Sequence, residues 1–130
     1  GAAISIATGE ITRAEWKKYD VLIHPDTNNA IVGYRFDNWQ ELLSIACLAQ
    51  KASGLGYAGV DLILDINGRA LVLEVNKRPG LEIQNINQHS LLTRLKYLEE
   101  QSIDLTEQSP IRAARTGIEL TKAIWEVKSK

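Results

Sequence analysis

The 130-residue chain has a single cysteine, Cys47, which excludes an internal disulfide and a cysteine-built zinc cage. Cys47 sits in the apolar run Ile45-Ala46-Cys47-Leu48-Ala49 and reads as a buried, inert thiol. No stretch approaches the roughly 18 apolar residues of a membrane span. Neither sign of charge dominates: 15 basic and 16 acidic residues leave a net charge of −1. Such a balance excludes the basic footprint of a nucleic-acid-binding domain. The nearest basic clusters, Lys17-Lys18 and the pair Lys128 and Lys130, have acids close by and read as solvated surface. A glycine-rich phosphate loop is also missing, because Gly54-Leu55-Gly56 lacks the Walker spacing and its Lys-Ser/Thr pair. The opening Gly1-Ala2-Ala3-Ile4 lacks a basic region ahead of its apolar run, and we expect no signal peptide in it. With 45% hydrophobic and 24% charged residues, the composition is that of an ordinary globular domain. We expect one domain over residues 1–130, soluble and in a reducing, cytoplasmic setting.

The pattern along the chain is mixed. Residues 2–7 read as a short strand ending at Thr8-Gly9. Residues 15–23 are ambiguous, with a strand conceivable at 19–23. Residues 24–29 (His-Pro-Asp-Thr-Asn-Asn) form a turn by composition, and 30–34 look extended. A clear helix follows: Asp37 or Asn38 can cap it, and Trp39, Leu42, Leu43, Ala46 and Ala49 recur at helical spacing. Two strands, 57–66 and 70–76, flank Asn67-Gly68. Two more helices span about 90–101 and, from Ser109-Pro110, about 110–128. Ile111, Ala114, Ile118 and Trp125 lie along one face of the last. This order predicts an α+β fold, with an antiparallel sheet and helices packed on it.

Asn-Gly is the strongest short hairpin signal, since a type I′ turn needs positive φ at both central residues. A two-residue loop there makes Ile66 face Arg69, Leu64 face Leu71, Leu62 face Leu73, and Val60 face Val75. That side is apolar apart from Arg69 and is expected to pack on a core. The other side pairs Asp65 with Ala70, Ile63 with Val72, Asp61 with Glu74, and Gly59 with Asn76. Like charges set directly opposite destabilise a sheet. Three remedies exist: a retained proton on one acid, a nearby Arg or Lys, or a shared divalent cation. Asn76 adds a neutral oxygen on the same face. Two carboxylates and an amide oxygen suit Mg²⁺ or Mn²⁺, which favour hard oxygen donors. A merely solvated acidic face is the plainer alternative.

The run from Gly59 to Asp65, followed by Leu73-Glu74-Val75-Asn76-Lys77-Arg78-Pro79-Gly80, closely resembles the signature hairpin of the ATP-grasp superfamily. Thr8-Gly9, His24-Pro25-Asp26, Trp39 and Gly80-Leu81-Glu82-Ile83-Gln84 extend the resemblance over about residues 1–95. They resemble the alpha-L-glutamate ligase-like, or sugar-transfer-associated, branch. The resemblance implies the carboxyl-terminal, metal-binding lobe of an ATP-dependent carboxylate–amine ligase. Such enzymes activate a carboxylate as an acyl phosphate, which a nucleophile, usually an amine, then attacks.

Carried over, Asp61 would bind one magnesium, Glu74 would bridge two, and Asn76 would bind the second. ATP would be the cofactor, and Arg78 would contact a phosphate or the substrate carboxylate. For Arg78 the plainer reading is a surface arginine balancing the acids. Gln84 and Asn85 would lie in a loop near the acceptor. Gly59 stands where some peptide-forming relatives carry arginine, so that role does not transfer. His24 reads as a turn-ordering residue, with a ligand or base role as the alternative, and Trp39 as a helix-face core residue. The amino-terminal lobe, which normally supplies lysines for the phosphates and the adenine hinge, is not recognisable here. The expectation is therefore a piece of a longer enzyme or a chain completed by a partner that supplies that lobe, with self-association as a homodimer. The alternative is a non-catalytic interaction module of the same shape. No nucleic-acid or membrane partner is expected.

Overall fold

The computed structural model describes residues 1–88, 90–104 and 106–128, the side chains of 125–128 excepted. The Trp125 face residue and the Lys128–Lys130 pair therefore lie outside the described side chains. The elements run β1 (Ala2–Ile4), β2 (Ile11–Trp16), β3 (Tyr19–Asp20), α1 (Trp39–Ser53), β4 (Gly59–Leu64) and β5 (Ala70–Asn76). Then come α2 (Glu82–Asn87), α3 (Leu91–Glu100) and α4 (Pro110–Lys128). The architecture is α+β, as expected, with all strand pairing antiparallel. Two separate sheets replace the single one: a three-stranded sheet β1-β2-β3 and the hairpin β4-β5.

The chain forms two compact units. The first comprises Gly1–Asp37, Leu81–Ile103 and Ile118–Lys130, and the second Asn38–Gly80 and Asp104–Gly117.

In the first unit the sheet begins as expected but is shorter, because the chain turns at residues 6–8. There the Ser5 carbonyl accepts the Thr8 and Gly9 N–H groups. The strand at 11–16 is not apparent from alternation, since Thr12, Arg13 and Glu15 interrupt it. It is held from both sides, by β1 and by β3. β2 and β3 meet in a two-residue turn at Lys17 (φ 49°) and Lys18 (φ 72°), the paired positive φ of a type I′ hairpin. The Lys17 Nζ sits 4.2 Å from the centre of the Trp16 ring, a cation–π contact. Residues 24–29 form the expected turn, closed by His24 N–H to the Asn29 carbonyl at 2.8 Å. The His24 Nδ1 accepts the Asp26 N–H at 3.2 Å, so this histidine orders its turn. Residues 30–34 are not a strand. Only Ala30 makes an isolated bridge, to Ile23, and the chain then turns at 32–33. Residues 82–87, expected as loop, form α2, which packs on β1 and β2. Among the described residues, the buried apolar ones here are Ala3, Ile11 and Ala14.

In the second unit α1 forms where its periodicity predicts and packs on β4 and β5. Asn38 occupies the N-cap but makes no capping bond with its side chain. Its Nδ2 donates instead to the Gly68 carbonyl at 3.2 Å, tying the helix start to the hairpin turn. Gly54 ends the helix in the left-handed conformation (φ 69°) that glycine adopts without steric cost. The Lys51 Nζ donates to the Thr106 and Gln108 carbonyls at 3.2 and 3.1 Å, fixing the lead into α4. Ser109 caps α4, its Oγ accepting the Arg112 N–H at 3.3 Å. Leu42 and Ala114 are buried. Cys47 is half-buried, and burial raises its thiol pKa, which keeps it protonated and inert. No helix among the described residues is long and apolar enough to cross a membrane.

Candidate metal and phosphate site

The hairpin reaches the expected acid pair by an unexpected route. Its turn is not a two-residue Asn-Gly loop. The Asp65 N–H donates to the Arg69 carbonyl at 2.9 Å, and the Gly68 N–H to the Asp65 carbonyl at 2.9 Å. The loop therefore holds three residues, Ile66, Asn67 and Gly68, with Gly68 at φ 76°. A turn followed by a left-handed residue is the next commonest hairpin connection.

Asp65 makes this choice. Its Oδ1 accepts the N–H groups of Asn67 (2.8 Å) and Arg69 (2.9 Å). Its Oδ2 meets the Arg69 guanidinium at 2.7 Å. An aspartate that bonds backbone two residues on is a standard turn former, and the motif Asp65-Ile66-Asn67-Gly68 carried that signal. Asp65, rather than Ile66, thus faces Arg69.

From this turn the ladder pairs Leu64 with Ala70, Ile63 with Leu71, and Leu62 with Val72. Continued regularly, it would set Asp61 against Leu73 and Glu74 against Val60, putting the two acids on opposite faces. A bulge intervenes between Asp61 and Leu62. Leu73 is left without a partner, and pairing resumes as Asp61 with Glu74, Val60 with Val75, and Gly59 with Asn76. The bulge is what places the carboxylates opposite each other. It also turns out Leu73, which a two-residue loop would have set on the packed side and which is 63% exposed. Val60, Leu62 and Val75 are half-buried, while Leu64 and Val72 stay exposed. The apolar side is thus covered only at its base.

Asp61 and Glu74 are both exposed, and Asn76 is half-buried. The Asn76 Nδ2 lies 3.3 Å from the Asp61 Oδ2 and donates to it. Half a turn of that amide exchanges nitrogen for oxygen beside the Asp61 carboxylate, and with Glu74 on the facing strand the chemistry of the donor set fits a hard divalent cation. Arg78 follows β5 in an irregular, exposed segment, and no acid partner for it occurs among the described residues. The segment is anchored by Pro79. A Cβ built on Gly59 would stand 2.6 Å from the Pro79 Cβ, closer than real carbon atoms approach. Gly59 is therefore required here for close packing, and an arginine in its place would run into Pro79. Sequence reasoning missed both this contact and the Asp65 clasp. Gln84 and Asn85 lie on α2 in the first unit, and the buried Gln84 Oε1 has no hydrogen-bond partner among the described residues.

The Asp65 clasp has a pH signature. The Arg69 N–H bond, the Arg69 side chain and then the Asn67 N–H hold this carboxyl below the usual aspartate range. A depressed folded-state pKa contributes stability above the unfolded value of about 3.9. That contribution is lost as pH falls through the folded value. Urea titrations should show wild type more stable than Asp65→Asn at pH 6, with the gap closing progressively below about pH 4. A gap that persists unchanged at pH 2 would exclude this ionisation as its source.

Two curated relatives share one short stretch with the chain. They are named "Probable alpha-L-glutamate ligase" and come from Haemophilus influenzae strains PittEE and 86-028NP. Each is 64% identical over 39 residues, 30% of this chain. The match spans 13% of the length of either relative. No solved structure matches the chain. The model of the sugar-transfer associated ATP-grasp family matches residues 1–100, more than three quarters of the sequence and the whole hairpin. On that match, the chain belongs to the sugar-transfer associated ATP-grasp family.

Proposed function

We propose that this chain carries the metal- and phosphate-binding half of an ATP-dependent carboxylate–amine ligase. The observation that carries the reading is the juxtaposition of Asp61, Glu74 and Asn76 on one face of β4-β5, in a chain of this family. The three residues would hold magnesium, or manganese, with oxygen donors alone. When bound with ATP, such ions clamp the phosphates and offset the charge that develops during transfer. Glu74 and Asp61 present carboxylates from facing strands, and the half-buried Asn76 brings a neutral donor beside them. Arg78 forks onto a phosphate or onto the carboxylate to be activated, with its backbone steadied by the Pro79–Gly59 contact. A glutamate-like acid is the substrate class in keeping with the named relatives. We place the protein in the cytoplasm and expect residues 1–130 to act as one carboxyl-terminal part of an ATP-grasp domain.

A second reading, a non-catalytic interaction module, draws on the hairpin tip. Ile66 is fully exposed, and Ile63, Leu71, Val72 and Leu73 are between 42% and 63% exposed. Exposed apolar surface of this kind is normally covered by a partner, here a second copy or a chain carrying the amino-terminal lobe.

Calorimetric titration of magnesium into the chain, with and without ATP, separates these readings. Magnesium-dependent ATP binding is the expected result. Metal binding without ATP binding indicates a half-site completed by a partner. If neither binds, the ligase reading fails and the interaction reading stands.

A further inference from the structure

The first unit contains a cavity of about 780 Å³, within the range of small-molecule sites. The segment after β1, the end of α2, and single turns of α3 and α4 border it. Ile4, Ile6, Ala7 and Ile86 make much of its wall apolar. Among the described residues, four charged ones also line it: Glu10, Arg13, Arg94 and Lys122. Two of them are already neutralised. Glu10 pairs with Arg35 at 2.5 Å, and Arg13 pairs with Asp20 at 2.8 Å and with Glu15. For Arg94 and Lys122, no acidic partner occurs among the described residues.

Arg94 is half-buried. A guanidinium taken partly out of water beside an apolar wall loses hydration, and without a counter-ion nothing replaces it. Among the described residues the remaining charge of the cavity is thus positive, and its body is apolar. We propose that this cavity binds a small organic anion, its apolar part against Ile4, Ile6 and Ile86. A carboxylate or phosphate head meets Arg94 and Lys122. Arg94 offers the planar fork that matches either head, and Lys122 adds a mobile point charge. No lining residue lies on β4 or β5. The inference therefore stands or falls apart from the ligase reading.

The test uses the full chain, labelled with ¹⁵N, and three probes: hexanoate, hexyl phosphate and the neutral hexanamide. Backbone amide shifts at residues 4–8 and 87 report occupancy. At least one anion should shift them saturably, and the amide should not. The anion that binds more tightly identifies the head group. Arg94→Gln should weaken that anion by at least about tenfold, the loss of one charge-assisted contact. If Arg94→Gln does not fold, Lys122→Gln on the exposed side of α4 serves in its place, with the same expected direction. Equal binding of hexanamide would reduce the site to an apolar hollow and overturn the proposal. So would full affinity in a folded variant, or no saturable shift with either anion on the order of 50 mM.

Discussion

Deleting Leu62 should abolish magnesium binding, whereas deleting Leu73, one bulge away on the facing strand, should leave it intact. Leu73 is the residue without a partner in the ladder. Its removal closes β5 into a regular strand and keeps Asp61 opposite Glu74. Removing Leu62 shortens β4 instead, so that Asp61 slides to the place opposite Val72. The two carboxylates then no longer converge. Residues that merely orient a metal ligand cost about 10–100-fold in affinity when lost. Separating the two proposed ligands should therefore cost more than about a hundredfold. Magnesium titration of both variants, after circular dichroism has established that each folds, reads the outcome. Equal loss in the two would mean that the cross-strand register is not what holds the metal.

The double variant Asp61→Asn, Glu74→Gln should be more stable than wild type in chelator and should lose its response to magnesium. Directly opposed like charges destabilise an antiparallel pair by about 0.2–1 kcal/mol, and amides in the same places remove that repulsion. Both acids are exposed, so part of the repulsion is screened by solvent. The gain should accordingly sit at the lower end of that range and shrink in salt. Metal binding acts in the opposite sense. It stabilises whichever state holds the ion, by an amount that grows with its concentration. Thermal melts in EDTA and in millimolar magnesium should thus rank the two proteins in opposite orders. If the variant is less stable in both, the acids make structural contacts beyond their mutual repulsion. The cation reading would then lose its physical motive.

The meeting of Asp61 with Glu74 across the hairpin was legible in the sequence, and the reasons are local. Glu74 and Asn76 share a face because side chains alternate along β5, and the bulge between Asp61 and Leu62 brings Asp61 to the same face. The helix at 39–53 was legible because Trp39, Leu42, Leu43 and Ala46 repeat at its period. The hairpin turn was misread because Asn67-Gly68 signals a tight loop, while the Asp65 carboxylate, through three bonds to the following residues, imposes a longer one. Lys17 and Lys18 took the type I′ geometry instead, a conformation their side chains disfavour and no dipeptide rule anticipates. The strand at 11–16 escaped notice because its neighbours, not its alternation, define it. α2 was read as loop because it is only six residues long. The cavity residues could not be found together, since they come from four separate stretches of chain.

The unpaired Leu73 has a consequence for how this hairpin tolerates error. Two alignments of the same strands, one with a short turn and no bulge, the other with a long turn and a bulge, arrive at the same meeting of Asp61 with Glu74. Slippage at the tip is thereby absorbed before it reaches the acids. The loop can be re-spaced during folding, or re-sequenced by evolution or by design, while the open end of the hairpin keeps time.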